Sequence, residues 1–565
     1  MSKSYAILII LLLVSCARLQ PQQPENNTLS AGFESASVAN AEDDAYREIT
    51  SPVELDFSRV GYHWGDDELP VYDNVFVTLH PSGDDDSGMI QEAIDSWGGS
   101  KGVILLSEGV FKVSSPIRLR KSSLVLRGTK SPDGDLLTTI LKTGTAQEDV
   151  VNLSGEGYSS MRNPLVCGVL IPDHTPLGAM YVRVENAASF VPGMRVSLVM
   201  CPNDAWIKDL RMTAEDGLVM PWVPEEHVLE WERTVIKVDG EKVYLDNPVV
   251  MPLDKKYGES CLMELIVSNR ITESGIEDLV IDTEFNTEII EEDYYSFDKK
   301  IYADEDHALS AVKITGAEHC WVRGVTGKHM YFATVQFGTD CRNCTALDCN
   351  YLEPVSRIQG SRRYSYTMGN GQLCLVKGCA SDQARHAYVV TGGNSGPNVF
   401  TQSRATNSFS SSGPHNHWSS GILFDCLDLK GWSSGEAGAS PSAGTDWNGP
   451  VDRWFGLLQI QDAYNSGSSS SQGWVGSNSV MWNCESDIYV CQNPWVSSQN
   501  WAWGCKGTYK YSSIAAAAEQ GRPQGDIRSP GEHIILDNYT SLYEYQLASR
   551  KERGDIHFIP DFNYQ

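Results

Sequence analysis

From about residue 74 onward, short runs of alternating apolar and polar residues are broken by Gly, Ser, Asn and charged turns. Asp84-Asp85-Asp86-Ser87-Gly88 precedes a short amphipathic segment, Met89 to Trp97, which reads as a helix. Strand-like runs follow closely at Val103–Leu106, Val110–Val113, Ile117–Leu119 and Leu124–Gly128. From Pro164 to Arg270 the pattern changes: Ala187–Val196 and Thr234–Gly240 read as hairpin-rich β-structure. Strand-then-turn units return at Ile276 and recur near Val322, Val376, Phe400, Leu423 and Met481. Repeated short strands predict an all-β solenoid, a parallel β-helix with an inserted small β-domain. The expected boundaries are 51–163 for the first rungs and their cap, 164–270 for the insert, 271–510 for the main β-helix and 511–565 for a C-terminal cap. Ser541–Leu547 reads as a terminal helix that covers the open end of the solenoid.

Four segments align: Lys328-His329-Met330-Tyr331-Phe332, Ser356-Arg357-Ile358-Gln359-Gly360, Arg385-His386-Ala387-Tyr388-Val389 and Pro414-His415-Asn416-His417-Trp418. Their second positions are separated by 28, 29 and 29 residues, a solenoid-like period. Strand side chains alternate between faces. His329, Arg357, His386 and His415 are therefore expected in one external column, with Tyr331, Gln359, Tyr388 and His417 beside it. Met330, Phe332, Ile358, Gly360, Ala387, Val389, Asn416 and Trp418 would point inward.

Charge and composition narrow the partners. A net charge of −29 excludes a nucleic-acid surface, which needs a basic face. Lys3, the apolar run Ala6–Val14 and Cys16 read as an export signal, too short to span a bilayer. Leu13-Val14-Ser15-Cys16 resembles a lipobox, where bacteria cleave and acylate the new N-terminal cysteine; the alternative is an ordinary secretory signal with a chance cysteine. The expectation is a signal over 1–16, lipidation at Cys16 and a flexible tether over 17–50. This implies an exported lipoprotein of the outer membrane, facing periplasm or cell surface, monomeric and held to the membrane by the lipid alone. Fourteen cysteines show one CxxC, Cys341 and Cys344, and no paired zinc modules. Cys320, Cys344, Cys349, Cys374 and Cys379 close short apolar runs and read as small core residues, with disulfides left open.

A strip of His, Arg, Tyr and Gln suits a chain-like anionic ligand, an acidic polysaccharide. For a uronate the natural reaction is β-elimination: a base removes the proton beside the carboxylate while an acid assists the departing glycosidic oxygen. His386 is the expected base and Tyr388 the acid. Arg363, Arg385 and His415 are the expected carboxylate-neutralising groups. His329, Lys328, Arg357, Gln359, Tyr331, His417, Trp418, Asn394, Asn398 and Tyr364 are the expected substrate contacts. Arg385 and His386 are adjacent, so a straight strand would face them oppositely.

Two sets of motifs carry a family resemblance. The run from Asn74 to Gly128 resembles the N-terminal cap and first rungs of the pectate-lyase-like superfamily. From about Ala311 to Gly507 the chain is similar to bacterial right-handed β-helix proteins of that superfamily. The matching stretches are Cys320-Trp321-Val322-Arg323-Gly324-Val325-Thr326 with Lys328-His329, Gly360-Ser361-Arg362-Arg363-Tyr364, Arg385-His386, Gly396-Pro397-Asn398-Val399-Phe400, Gly413-Pro414-His415-Asn416-His417-Trp418 and Asn500-Trp501-Ala502-Trp503-Gly504-Cys505. The resemblance implies a right-handed parallel β-helix and carbohydrate-active function, polysaccharide lyase above all. The chain lacks the Asp-rich calcium cluster and paired basic residues of calcium-dependent pectate lyases. No cofactor is therefore expected, with calcium left open as a ligand. The main rival is a glycoside hydrolase, which needs two flanking carboxylates. Asp348, Glu353, Asp382 and Asp425 lie nearby in sequence, without the paired Asp motif of polygalacturonases. The other rival is a non-catalytic surface glycan-binding protein.

Overall fold

The computed structural model describes residues 53–216, 221–291, 301–358, 360–393, 396–415, 417–431, 456–460, 473–511 and 521–555. The expected export signal, Cys16 and the expected tether lie outside them.

The chain winds into a right-handed parallel β-helix with three faces per coil, as both the repeat pattern and the resemblance imply. The first face is a twelve-stranded parallel sheet. Its inward column is Ile104, Leu126, Ile276, Val322, Ala346, Val376, Phe400, Phe424, Met481 and Ala502, each in register with the next. All are buried. Burying each large side chain of such a column stabilises by about 1.5–3 kcal/mol, so this stack is a main support of the fold.

A single left-handed residue turns the chain from first to second face. It is Asp278, Gly324, Asp348, Gly378, Gln402, Cys426, Asn483 and Gly504 in successive coils. The residue after it is Leu279, Val325, Cys349, Cys379, Ser403, Leu427, Cys484 and Cys505, all buried at the corner. The cysteines are thus corner-filling residues, and every described cysteine is a free thiol.

The third face carries the strands Ser310–Thr315, Ala333–Phe337, Tyr364–Gly369, His386–Thr391 and Ser411–Pro414. Its register corrects the 28–29 residue column. Ala333 pairs with Ser310, Tyr366 with Val335, His386 with Tyr364 and Gly413 with Val389. The steps are therefore 23, 31, 22 and 24 residues. His329 follows the second-face strand Thr326–Lys328, and Arg357 lies in the connection before Tyr364. His386 opens one third-face strand, and His415 follows the end of another. The four do not form one column.

An antiparallel six-stranded sheet interrupts the coils, with outermost strands Ser159–Val169 and Tyr181–Arg183 and closing strand Gly258–Ser268. It is fastened to the β-helix by buried ions. Arg270 binds Glu232 at 2.7 and 2.8 Å, Arg195 binds Glu232 at 3.1 Å and Glu318 at 2.5 Å, and Arg342 binds Glu318 at 3.1 Å and also Asp246.

The terminal helix is Leu542–Glu552. It lies along the outside of the first face rather than over the open end. Lys377 Nζ bonds Glu544 at 2.8 Å, and Asp425 accepts from the backbone N of Leu542 at 3.0 Å. The segment 53–66 packs beside it: Gln546 bonds Phe57 and Leu55, and Arg550 bonds Ser58 and Asp66. The first face is consequently covered on both sides, which is why its strands read as apolar runs rather than alternations.

Candidate functional site

The connection 353–363 between second and third faces is pinned by Arg363. Its buried guanidinium donates to the Ser356 carbonyl at 3.0 and 2.6 Å, and its own carbonyl accepts from the backbone N of Arg385 and His386 at 2.9 and 3.1 Å. Arg363 therefore positions the next coil and does not reach substrate, a correction to its expected role.

Above this anchor four side chains meet. Tyr364 Oη lies 3.1 Å from His415 Nε2, and Arg385 Nη1 donates to Tyr364 Oη at 3.2 Å. The Tyr364 and His386 rings are 4.7 Å apart edge-on, and those of His386 and His415 are 4.6 Å apart. His386 Nδ1 bonds the Ser411 carbonyl at 2.5 Å, which fixes the proton on Nδ1 and the lone pair on Nε2. Burial, reinforced by Arg385 and His415, holds the His386 imidazole well below its ordinary basicity. Burial, with Arg385 and His417, lowers the His415 pKa to about 4. Both imidazoles are therefore neutral at neutral pH. With Arg385 donating to its oxygen, the Tyr364 hydroxyl is directed as a donor to His415. This is a proton-transfer pair beside a fixed positive charge, with His415 its most solvent-accessible member.

The structure corrects several expected members. Tyr388 is completely buried, and its hydroxyl donates inside the coil to the carbonyls of Cys379 at 2.9 Å and Arg404 at 2.6 Å. It stacks on Tyr366 and cannot meet a substrate as an acid. Trp418 is buried between coil and insert, its Nε1 against Met251 Sδ. Asn398 is buried in the coil, accepting from the Cys374 N and donating to the Gly371 carbonyl. Gln359, Asn394 and Asn416 lie outside the described residues.

On one flank, Phe332 stacks on Tyr364 at 5.1 Å, and Tyr331 lies 5.5 Å beneath the Arg362 guanidinium. The cations there are matched by carboxylates. Arg362 binds Glu305, Arg357 binds Glu291 at 2.8 Å, and Lys328 lies 3.6 Å from Glu353. His329 sits between Asp282 at 2.7 Å and Glu353 at 3.3 Å. This flank is therefore not the uncompensated cationic strip the sequence suggested. On the other flank the exposed His417 faces His227 of the insert, with ring centroids 6.0 Å apart, and His227 stacks on Trp222 at 4.1 Å. Neither insert residue was anticipated, because nothing local in the sequence ties residues 222 and 227 to residue 417. Among the described residues no three His, Cys, Asp or Glu side chains converge as metal ligands.

No family model matches the chain, and no curated protein matches it. Solved structures do. The polygalacturonase of Erwinia carotovora ssp. carotovora is 10% identical, with TM-score 0.40 over 79% of this chain and 98% of that one. The surface protein and adhesin PfbA of Streptococcus pneumoniae is 10% identical, with TM-score 0.37 over 80% and 89%. The gp54 tailspike of Acinetobacter baumannii bacteriophage AP22, solved with capsular saccharide, is 10% identical, with TM-score 0.33 over 79% of this chain. The chain spans 66% of that tailspike's length.

Proposed function

We propose that the chain is a polysaccharide lyase acting on a uronate-containing glycan by β-elimination. The observation that carries this is Tyr364 Oη held between Arg385 Nη1 and His415 Nε2. Tyr364 passes its proton to neutral His415, and Arg385 stabilises the resulting phenolate. The phenolate removes the proton on the carbon beside the substrate carboxylate. The electron pair then forms the new carbon–carbon double bond and expels the glycosidic oxygen, which takes up a proton from the Tyr364–His415 pair. His386, fixed by Ser411, orients the two partners. The expected partners are an acidic polysaccharide and, through the lipid at Cys16, the outer membrane. The step asks nothing of a metal.

A hydrolase has one specific observation in its favour: Asp282 and Glu353 both contact His329, which brings two carboxylates, the groups hydrolysis needs, to one place. Incubation with a panel of uronate polysaccharides separates the two. A rise in ultraviolet absorbance from unsaturated uronate is expected, reduced roughly 10²- to 10⁴-fold in Tyr364→Phe and His415→Ala. Tyr388→Phe should retain turnover at a temperature where it stays folded. New reducing ends without the absorbance, lost in Glu353→Gln but not in Tyr364→Phe, would make it a hydrolase.

A further inference from the structure

The insert does more than pack against the coils. We infer that His227 of the insert is a sugar-binding residue of the groove, accepting a hydrogen bond from a hydroxyl of the glycan residue next to the one being cleaved. This rests on the proposed polysaccharide site and extends it to a second wall.

Three observations meet here. His227 is only 7% exposed, and its Nδ1 donates to the Val223 carbonyl at 2.9 Å, so the Nε2 lone pair lies at the far edge of the ring. That Nε2 has no hydrogen-bond partner among the described residues. A buried acceptor left unmade is destabilising, and a ligand hydroxyl would relieve that loss. Second, the ring is held rigidly. It stacks on Trp222 with planes 25° apart, and Trp222 packs in turn near Trp206 and Trp418. Third, its neighbour is the site: His227 lies edge-on to His417, whose field contributes to the lowered pKa of His415. Burial also keeps His227 below ordinary basicity, and hence an acceptor.

The ligand is therefore chosen by its hydroxyls rather than by charge at this position. The carboxylate-bearing sugar belongs at Arg385, and a hydroxyl-rich neighbour belongs at His227. A lone histidine also suits this task because Nδ1 is committed to Val223: the ring cannot rotate to offer a donor instead.

The test uses the full chain and oligosaccharides of the polysaccharide it binds or cleaves. His227→Phe keeps a ring on Trp222 and removes the acceptor. His227→Gln keeps an acceptor at similar reach. His227→Phe should weaken oligosaccharide binding, by calorimetry and as KM, roughly tenfold, with a much smaller change in kcat and an unchanged melting temperature. His227→Gln should recover part of that loss. Undiminished binding by His227→Phe overturns the inference, whether or not the lyase activity is found. Weakened binding in a protein that turns over no uronate upholds the inference and removes the lyase mechanism. A wild-type chain that binds no glycan removes both.

Discussion

The chemistry of the candidate site rests on keeping two imidazoles neutral. His415 titrates near 4 because burial, and then Arg385 and His417, disfavour its cation. A neutral His415 can accept from Tyr364, so catalysis should fall on the acid side only near pH 4 rather than around the ordinary histidine value of 6.5. The stability effect has a definite sign. The folded pKa lies below the unfolded one, so between about 6.5 and 4 the unfolded chain binds more protons and stability falls as pH falls. Arg385→Gln removes the second-largest cause, and the acid limb of kcat should move upward toward 6.5. A limb that stays put in the variant would assign the depression to burial and His417 and leave Arg385 no part in it. Tyr388 shows the opposite outcome at the same scale. It carries the same functional group as Tyr364, but its hydroxyl is spent on two carbonyls inside the coil.

Among elements, the terminal helix is tied to the β-helix through one carboxylate. Asp425 sits on a first-face strand and accepts from Thr401 Oγ1 at 2.8 Å, Ser541 Oγ, and the backbone N of Leu542 and Tyr543 at 3.0 and 3.3 Å. Burial outweighs these donors and raises its pKa to about 6. The folded state therefore binds the proton more readily than the unfolded chain, and stability contributed by this group declines as pH rises from about 4 to about 6. Asp425→Asn should flatten that part of the stability–pH curve in denaturant melts. Asp425→Ala should lower stability by about 1–3 kcal/mol at all pH values, by leaving the helix N-terminus and Thr401 unsatisfied. A variant curve with the wild-type slope would place the titration elsewhere.

The same scale shows what the sequence made legible. The first-face strands around Val322, Val376, Phe400, Leu423 and Met481 stand out because each is a short apolar run followed by a tight corner. The corner itself is the repeat: one left-handed residue, then one small or apolar residue that is buried. The fixed step of 28–29 residues fails because the second-to-third connections differ in length, from 329–332 in one coil to 353–363 in the next. A wrong register also carries a wrong facing, since side chains alternate. The repeat of 28–29 residues thus faces Tyr388 outward and leaves Tyr364 only a binding role. Arg385 and His386 are adjacent in the sequence and His415 recurs one coil later in a similar short motif, so this grouping is legible there. Glu291, Glu305, Asp282 and His227 are not, because only coiling and the insert's folding bring them beside Arg357, Arg362, His329 and His417.

For the molecule as a whole, the inferred second wall at His227 requires the insert to be held immobile against the coils. The ionic network does this. Arg195, Glu232 and Asp246 of the insert meet Arg270, Glu318 and Arg342, with Asp246 and the three β-helix partners almost closed to solvent and Arg195 and Glu232 partly open to it. Burial opposes ionisation of Glu318, but Arg195 and Arg342 overcome it and hold the carboxyl well below its usual range. The folded pKa is depressed, so this stabilisation is complete above the ordinary carboxylate value and is lost as pH falls below it. Glu318→Gln leaves three buried guanidinium groups with less compensation than they need. Removing one partner of a buried pair costs about 3–5 kcal/mol. If insert and coils fold as one unit, Glu318→Gln should lower the single melting transition and leave it single. If the insert melts alone, the variant should split the transition in calorimetry, and glycan affinity should fall with the first step while the β-helix persists. The second result would mean that the groove's far wall is detachable, and that the coil's own Tyr364, Arg385, His386 and His415 work beneath a wall held by charge.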